Sequence, residues 1–554
     1  MNNLFRYVRA VVGTLMLPVL LVGCGGSGGG GSSTSSTSPA NGTFQAAITD
    51  APSSNFDHVW ITVRGIWFHT SSSAGPQQAG WIKYSLPAAV TVDLTTLTNG
   101  QLSNVFQNIS LPAGDYQQIR LMLAPTEGSL TASAGSDGLS YNNQVDYTDS
   151  LGTVQHVPLR IPSPREGIKL AGNFQIAPGG TLDIAIDFDI GHQIVEYALG
   201  HGVEYMLKPV LTYFNLDNAG AITGQIDPGI FRSSTNPSGG YNFVIKAEQL
   251  SANGTYHTVV RATTVDSNGN FILYPLPVAN GTTKDYDIVL RGRNVDTYII
   301  KDVPVTGGTT PTSNPTLVQS TPITMTLDSE YTANFTGAVN PTGAWATFYQ
   351  TIPGDTASYN IRYRHLDPFT GMFYNAIPLS TGPLYWGTYH GGHAVSFASV
   401  MPVEGTATFD VVANSLFYTR TLDGTVTGTA NALAQLSPVT LTIPPPAAPD
   451  SISGTITETG NASNAGLNTA YLVVARDGFV VTTQSESASL GSSFTFTLSN
   501  LPGGSSSATV PGAYYTLYLV AWNSANPPST LTITRSTVVD LTQGSMTGVS
   551  LTLQ

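Results

Sequence analysis

Short runs in which apolar and polar residues alternate fill the sequence from about Thr43 onwards, and clusters of Gly, Pro, Asn and Asp separate them. A period of two is typical of a β-strand with one buried face, and the 3.6-residue period of an amphipathic helix is almost absent. In residues 183–190 (DIAIDFDI), three aspartates fall on one face and four apolar side chains on the other. The pattern predicts an all-β chain of tandem β-sandwich domains.

The first 24 residues have the layout of a secretory signal. Arg6 and Arg9 precede an apolar run over residues 10–21, which is shorter than the roughly 20 residues that a membrane span needs. The run leads into Leu-Val-Gly-Cys at residues 21–24, which resembles the lipobox of bacterial lipoproteins. The resemblance implies cleavage before Cys24 and acylation of that residue, for example with palmitate, so that several acyl chains anchor the protein to a membrane.

The alternative is an ordinary signal peptide with an incidental cysteine, but Cys24 is the only cysteine in 554 residues. Once lipid occupies it, disulfides, Cys-ligated zinc and Cys nucleophiles are excluded. Removing the signal takes away two of the 21 basic residues and none of the 34 acidic ones, so the mature charge is 19 minus 34, or −15. Nucleic acid is therefore not an expected partner, because it is bound by clustered Lys and Arg.

Residues 25–42 form a Gly/Ser-rich tether that is expected to behave as a flexible coil. In Gram-negative lipoproteins, an Asp directly after the acylated cysteine usually marks retention in the inner membrane. Gly25 stands at that position here, which favours the outer membrane, on its periplasmic or its surface face.

Several motifs between residues 43 and 215 resemble the uncharacterised bacterial family known as domain of unknown function 4382. They are Thr-Asp-Ala-Pro at 49–52, Leu-Pro-Ala-Gly at 111–114, Gly-Ile-Lys-Leu at 167–170, Asp-Phe-Asp at 187–189 and Leu-Lys-Pro at 207–209. The resemblance implies a β-sandwich on a surface or periplasmic lipoprotein and no established activity.

The rest of the chain contains one signature three times, namely apolar, Ser or Thr, Gly, any residue, apolar. Its glycines are Gly224, Gly337 and Gly454, and the spacings of 113 and 117 residues each fit one sandwich domain. Each copy also has an apolar residue before a proline, at 276–277, 401–402 and 501–502, and a closing strand, at 323–327, 439–443 and 549–553. These features predict three diverged copies of one β domain.

The first and last copies resemble carboxypeptidase regulatory-like, transthyretin-like sandwiches. The motifs that carry this resemblance are Asp-Ser-Asn-Gly-Asn-Phe at 266–271 and Gly-Ala-Tyr-Tyr-Thr-Leu at 512–517, and the middle copy lacks the Asn-Gly turn. The predicted organisation is a signal peptide (1–23), an acylated cysteine with its tether (24–42), a first domain (43–216) and three repeats (217–327, 328–449 and 450–554).

No motif for catalysis was found in the sequence: H-E-x-x-H, G-x-S-x-G, the P-loop and the dinucleotide fingerprint are all absent. We therefore expect no enzymatic activity and no cofactor. The alternative from another class is a metal-dependent envelope hydrolase that uses the middle repeat, where His365, His390 and His393 could contribute metal ligands. Loop histidines without Cys or a paired Glu are more often surface residues.

Four aspartates are candidate ligands for a hard cation such as Ca²⁺: Asp50, Asp183, Asp187 and Asp189. The competing interpretation is that they form the solvated face of an edge strand and cap turns. We favour the competing interpretation, because calcium sites usually concentrate their ligands on one loop with a Gly at the bend.

Aromatic residues are concentrated in the middle repeat, where residues 345–390 contain 11 of Phe, Trp and Tyr. Their flat faces and polar rims suit sugar rings or a partner protein, although aromatic residues also favour strands and cores. The candidate ligand-binding residues are Trp345, Tyr363, Tyr385, Trp386 and Tyr389. The sequence thus indicates a lipid-anchored cell-envelope protein with a non-catalytic binding, adhesion or spacer role, whose ligand is a carbohydrate or a protein.

We predict that Cys24→Ser blocks incorporation of labelled fatty acid and releases the protein from membranes, because Cys24 is the only residue that can carry the lipid. Metabolic labelling and membrane fractionation measure both effects. A Cys24→Ser variant that stays in the membrane fraction would refute the lipoprotein assignment.

Overall fold

The computed structural model describes residues 40–51, 56–149, 151–161, 165–199, 202–208, 211–232, 243–327, 331–458, 469–477, 479–486, 493–504, 512–522, 532–533 and 537–553. The predicted signal peptide, Cys24 and residues 24–39 of the tether lie outside this part of the chain. Within it, no helix has the length and apolar character required to cross a bilayer.

The described residues of the first domain form twelve strands and two short α-helices. In chain order these are β1 (Asn41–Ala51), β2 (His58–His69), β3 (Ile82–Asp93), β4 (Ser103–Pro112), β5 (Gly114–Leu123), α1 (Ala132–Ser136), β6 (Gln144–Thr148), β7 (Val154–Arg160), β8 (Ile168–Ile176), β9 (Thr181–Asp189), α2 (Ile190–Gln193), β10 (Ile194–Leu199), β11 (Gly202–Leu207) and β12 (Thr212–Asn215). One sheet has the order β12-β9-β1-β4, and the other has the order β10-β11-β7-β6-β2-β5-β8 with β3 paired to β2.

The alternation in the sequence places the core of this domain correctly. Val59, Ile61 and Val63 on β2 are fully buried, and Arg64 is exposed. On β9, the apolar face that ends with Phe188 is buried in the same core. The two sheets therefore pack face to face over apolar side chains, as expected for a sandwich.

The three repeats supply the remaining strands. The first contains β13 (Ala219–Gln225), β14 (Val244–Leu250), β15 (His257–Thr263), β16 (Asn270–Pro277), β17 (Thr283–Gly292), β18 (Val295–Thr306) and β19 (Thr316–Leu317). The second contains β20 (Thr332–Asn340), β21 (Trp345–Gln350), β22 (Tyr359–His365), β23 (Met372–Pro378), β24 (Leu384–Thr388), β25 (Ala398–Val400), β26 (Thr406–Asn414), β27 (Thr421–Thr429), β28 (Leu433–Gln435) and β29 (Val439–Thr440). The third contains β30 (Ala448–Glu458), β31 (Thr469–Arg476), β32 (Phe479–Glu486), β33 (Phe494–Gly503), β34 (Tyr514–Trp522), β35 (Thr532–Ile533), β36 (Thr537–Asp540) and β37 (Met546–Leu553). Short 3-10 helices occupy Leu94–Thr96, Leu216–Asn218, Pro228–Arg232 and Leu379–Thr381.

All three repeats share one strand order. The first strand of each (β13, β20, β30) pairs antiparallel with the fourth (β16, β23, β33) and parallel with a closing strand (β19, β28 and β29, β37). The second sheet has the order β15-β14-β17-β18, β22-β21-β26-β27 or β32-β31-β34-β36. In the first repeat the closing strand is β19, and the predicted strand at 323–327 makes only isolated bridges.

The three signature glycines occupy the same position. Gly224, Gly337 and Gly454 each lie opposite a phenylalanine of the fourth strand, which is Phe271, Phe373 or Phe496. A Cβ atom on Gly337 would lie 2.6 Å from Cε1 of Phe373, and one on Gly224 would overlap the Phe271 ring. A Cβ atom on Gly454 would lie 2.9 Å from Cζ of Phe496 and would also overlap the carbonyl of Val549. The glycine is therefore required because the aromatic ring of the opposite strand covers its backbone.

The prediction that residues 401–402 of the middle repeat correspond to the apolar-proline pairs at 276–277 and 501–502 was wrong. Pro277 is the last residue of the fourth strand in the first repeat and Pro502 the second-last in the third, and each lies opposite the start of the first strand. In the middle repeat this position belongs to Pro378, which pairs with Thr332, whereas residues 401–402 follow β25. The error arose because the middle repeat has extra strands between its fourth and fifth strands.

These extra strands join the sheet of the first repeat. β24 pairs parallel with β18, from Thr297 opposite Leu384 to Lys301 opposite Thr388, and β25 pairs with β24. Residues Leu384–Val400, which the sequence assigns to the middle repeat, thus extend the six-stranded sheet β15-β14-β17-β18-β24-β25. Asn41–Gln554 forms one compact unit, and a single apolar cluster runs through the second and third repeats.

We predict that Gly337→Ala lowers the free energy of unfolding by about 1–3 kcal/mol, because the new methyl group overlaps the Phe373 ring. Gly424→Ala on β27 is the matched control. Its nearest neighbour would be 3.5 Å away, and we expect a change within about 0.5 kcal/mol. Denaturant unfolding compares the two variants, and equal stability would contradict the proposed role of the glycine.

Candidate functional site

A cavity of about 320 Å³ lies where the four domains meet. The first domain contributes Lys208, the first repeat Arg261, the second Tyr363 and the third Phe479. These residues come from distant parts of the sequence, so the cavity exists only when all four domains are assembled.

The guanidinium of Arg261 on β15 is buried against the first domain. It forms an ion pair with Asp187, and its Nη2 donates to Oγ1 of Thr49 at 2.7 Å and to the carbonyl of Asp50 at 2.8 Å. Its Nε donates to the carbonyl of Tyr274 at 3.1 Å. Burial raises the pKa of Asp187 and the nearby Arg261 opposes this increase. A buried arginine needs such a full set of acceptors, because desolvating its charge is costly.

The four candidate metal-binding aspartates lie in different environments. Asp187 is the counter-ion of Arg261, and Asp50 is fully buried with its Oδ1 accepting the backbone N–H of Ile190 at 3.0 Å. Burial raises the pKa of Asp50 well above its usual value, which disfavours the charged form that a cation would need. Asp183 is half-buried and Asp189 lines the central cavity. No group of three or more His, Cys, Asp or Glu among the described residues is arranged to hold a metal ion.

The competing interpretation of the aspartate face was also wrong. β9 lies between β12 and β1, not at an edge, and the face that carries Asp187 is covered by the first repeat. The alternation predicted which side chains share a face. It did not show whether that face is solvated or packed on another domain, because polar side chains occupy the face in both cases.

The candidate aromatic residues separate into two groups. Trp345 and Tyr363 line the central cavity, with their ring centroids 6.2 Å apart. Trp345 also packs edge to face with Phe479 of the third repeat, with ring centroids 6.3 Å apart. These two residues form an aromatic wall on one side of the cavity.

The other three candidates lie on or directly after β24. Tyr385 stacks on Tyr298 with centroids 4.5 Å apart, and Tyr389 packs against the same core of the first repeat. Trp386 packs against the apolar cluster shared by the second and third repeats. None of the three is among the described residues that line the central cavity. They join the first two repeats and do not form one binding face with Trp345 and Tyr363.

Three cations at the cavity were missed by the sequence analysis, namely Arg261, Lys208 and Arg420. Lys208 is fully buried and its Nζ donates to the carbonyl of Gly343 at 2.9 Å, and burial lowers its pKa to about 7. Arg420 donates to Oδ1 of Asn414 at 2.6 Å and lies over the ring of Tyr256. The only sequence signal was the Leu-Lys-Pro motif at 207–209, in which a lysine directly follows a strand.

A second, more polar cleft of about 540 Å³ separates the first and second repeats. His257 stacks on Tyr359 with centroids 4.0 Å apart and lies 3.2 Å from Oδ2 of Asp287. The hydroxyl oxygen of Tyr359 lies 3.0 Å from Oδ2 of Asp287 and 2.9 Å from Oδ2 of Asp355, and its single proton can be donated to either carboxylate. Lys301 pairs with Asp355 at 2.7 Å. The Lys301–Asp355 ion pair and the contact of Tyr359 with Asp287 thus cross the boundary of the two repeats.

Residues 41–209 match the family described as "Domain of unknown function (DUF4382)", in agreement with the resemblance of the sequence motifs. The match covers less than half of the chain. No protein with a curated description matches the chain in sequence.

Three solved structures with a partial likeness are distant in sequence. The TIE protein of Bacillus anthracis is 8% identical and covers 95% of this chain and 76% of its own, with a TM-score of 0.14. Two B repeat units of the collagen-binding protein of Staphylococcus aureus are 8% identical over 93% of this chain and 99% of their own, with a TM-score of 0.13. The shaft pilin SpaA of Lactobacillus rhamnosus GG is 10% identical over 41% of this chain and 98% of its own, with a TM-score of 0.14. With scores this low, the fold assignment rests on the strand pairing described above.

Proposed function

We propose that this chain is a lipid-anchored cell-envelope protein that binds a small carbohydrate, or a carbohydrate end group, without chemistry of its own. The observation that carries the proposal is the central cavity, which is lined by an aromatic wall and by fixed polar groups from the first domain and the first two repeats. The location rests on the secretory signal, the lipobox that ends at Cys24 and the Gly/Ser tether, with the outer membrane favoured by Gly25.

The size and lining of the cavity suit a sugar. Its volume of about 320 Å³ lies at the lower end of the range for small-molecule sites. Trp345 and Tyr363 offer flat apolar surface for the face of a sugar ring, and such burial contributes roughly 25 cal/mol per Å². Lys208 and Arg420 border the same space and provide donors for hydroxyl groups.

The described residues favour binding over the alternatives. A metal-dependent hydrolase requires a group of metal ligands, and the described residues contain none. A pure spacer has no need for a cavity at the meeting point of its domains. A partner protein would need an exposed face of several aromatics, but Tyr385 and Trp386 are packed against cores.

We predict that Trp345→Ala weakens carbohydrate binding about tenfold or more, which corresponds to about 1.4 kcal/mol of lost stacking energy. A glycan array that includes envelope polysaccharides identifies the ligand, and titration calorimetry gives the affinities. Binding should depend only weakly on salt, because stacking and hydrogen bonds are screened little. The whole chain must be used, since part of the middle repeat pairs with the first.

Tyr374→Ala is the matched control, because Tyr374 lies on β23 of the same repeat and is 56% exposed. We expect this variant to bind as the wild type does. Unchanged binding by Trp345→Ala would reject the cavity as the site, and the absence of any glycan ligand would leave the spacer role.

A further inference from the structure

One face of the second sheet of the first repeat forms a wall of the polar cleft. In the strand pairing, Leu250 on β14 lies opposite His257 on β15, and Glu248 on β14 lies opposite Asp287 on β17. Residues two apart on a strand, and residues directly opposite on neighbouring strands, lie on the same side of a sheet. These four side chains therefore share one face, and all four line the cleft of about 540 Å³.

The second repeat closes the cleft from the other side with the segment that leads into β22. Asp355, Thr356, Ala357 and Tyr359 of this segment line the cleft. Tyr359 is fully buried, and its ring stacks on that of His257. Packed side chains of both repeats thus fix the shape of the cleft, and its volume lies within the range of about 300–1,000 Å³ that is usual for small-molecule sites.

A buried carboxyl group in the cleft has an oxygen without a partner. Glu248 is 0% exposed, and its Oε2 accepts the backbone N–H of Asn360 at 3.0 Å. Its Oε1 has no hydrogen-bond partner in the part of the chain that the structure describes. Burial raises the pKa of Glu248 to about 7, and the charge of Lys246 opposes this increase only in part. A ligand that donates a hydrogen bond to Oε1 would therefore remove the cost of an unpaired buried acceptor.

The cleft also carries an excess of negative charge. Two lysines line it, and one of them, Lys301, already pairs with a carboxylate of the cleft at 2.7 Å. The net charge of the lining is 2 minus 5, or −3 with the histidine neutral, because five carboxylates line the cleft: Glu248, Asp285, Asp287, Asp302 and Asp355.

Two of these carboxylates, Asp285 and Asp302, are exposed and lie at the mouth of the cleft. Burial and the like charge of Asp287 raise the pKa of Asp302, which shows that the negative charges are not fully balanced. The ligand that this field favours is a cation.

The lining favours an organic cation over a metal ion. Among the described residues, no group of three or more His, Cys, Asp or Glu is arranged to hold a metal. Leu250 and Ala357 add apolar surface to the cleft, which suits a hydrocarbon stem. A primary ammonium group has three N–H donors, so it can satisfy Oε1 of Glu248, whereas a quaternary ammonium group has none.

From this geometry we propose that the polar cleft binds a small aliphatic diamine. One ammonium group donates to Oε1 of Glu248, the stem lies against Leu250, and the second ammonium group lies near Asp285 and Asp302 at the mouth. This site is separate from the central cavity, because the described linings of the two have no residue in common. It does not depend on the proposed binding of a sugar.

Titration calorimetry of the full chain with cadaverine, an unbranched diamine with a primary amine at each end, tests the proposal. We expect one molecule to bind per chain, and we expect binding to weaken as salt screens the carboxylates at the mouth. Pentamethonium has the same stem between two quaternary ammonium groups and should bind about tenfold more weakly or worse, since it cannot donate to Glu248. Equal affinity for the two compounds, or no binding of cadaverine at millimolar concentration, would overturn the proposal.

The variant Glu248→Gln tests the buried contact. Glutamine has nearly the same size and can still accept the N–H of Asn360, but it lacks the charge, so we expect cadaverine to bind about tenfold more weakly or worse. Glu404→Gln is the matched control, because it removes the same charge from an exposed position outside the described lining. We expect it to bind cadaverine as the wild type does. Trp345→Ala should also leave cadaverine binding unchanged, which separates this site from the sugar site.

A second variant tests the mouth of the cleft without touching a buried group. Asp302 has a positive φ of 59°, a conformation that asparagine also adopts readily, so Asp302→Asn should fold normally. We expect it to bind cadaverine about threefold more weakly, because one of the exposed carboxylates is lost. Wild-type affinity in both Glu248→Gln and Asp302→Asn would overturn the proposal.

Discussion

The ion pair between Arg261 and Asp187 is the contact on which the arrangement of the domains depends. A guanidinium that is removed from water needs an acceptor for nearly every N–H, and here the first domain supplies an aspartate, a threonine hydroxyl and a main-chain carbonyl. Thr49 and Asp50 belong to the Thr-Asp-Ala-Pro motif that matches the family. This motif therefore has a physical role in the chain, which is to receive a cation from the neighbouring repeat.

Other contacts between domains join the second and third repeats to the rest of the chain. Nζ of Lys208 in the first domain donates to the carbonyl of Gly343 in the second repeat. Nζ of Lys169, also in the first domain, lies 3.2 Å from Oδ2 of Asp477 in the third repeat. Strand β24 of the second repeat joins the sheet of the first repeat. Lys208 is buried, donates to one main-chain carbonyl among the described residues and lies over the Phe479 ring, and burial lowers its pKa to about 7. The tandem sandwiches form one unit around a shared cavity, and the candidate site is a consequence of that assembly.

The fold class and the repeat were predictable because their signals are local. Alternation in β2 and β9 depends only on which face of a strand is buried, and Gly337 is required by a ring directly opposite it. The candidate site was predictable only in part. Trp345 and Tyr363 do line the cavity, but Tyr385 and Trp386 are used in packing because β24 pairs with a strand more than 80 residues earlier. Such non-local pairing leaves no mark in the sequence of either strand, and neither does the burial of Asp187 by another domain.

A double-mutant cycle at Arg261 and Asp187, measured as the free energy of unfolding in denaturant, tests the central claim most directly. Arg261→Met leaves the Asp187 carboxylate buried without its partner, and we predict a loss of about 3–5 kcal/mol. Adding Asp187→Leu to that variant removes the unpaired charge and should restore most of the stability, so the two changes should couple strongly. Additive effects, or an Arg261→Met variant as stable as the wild type, would contradict the claim that this ion pair joins the first domain to the repeats.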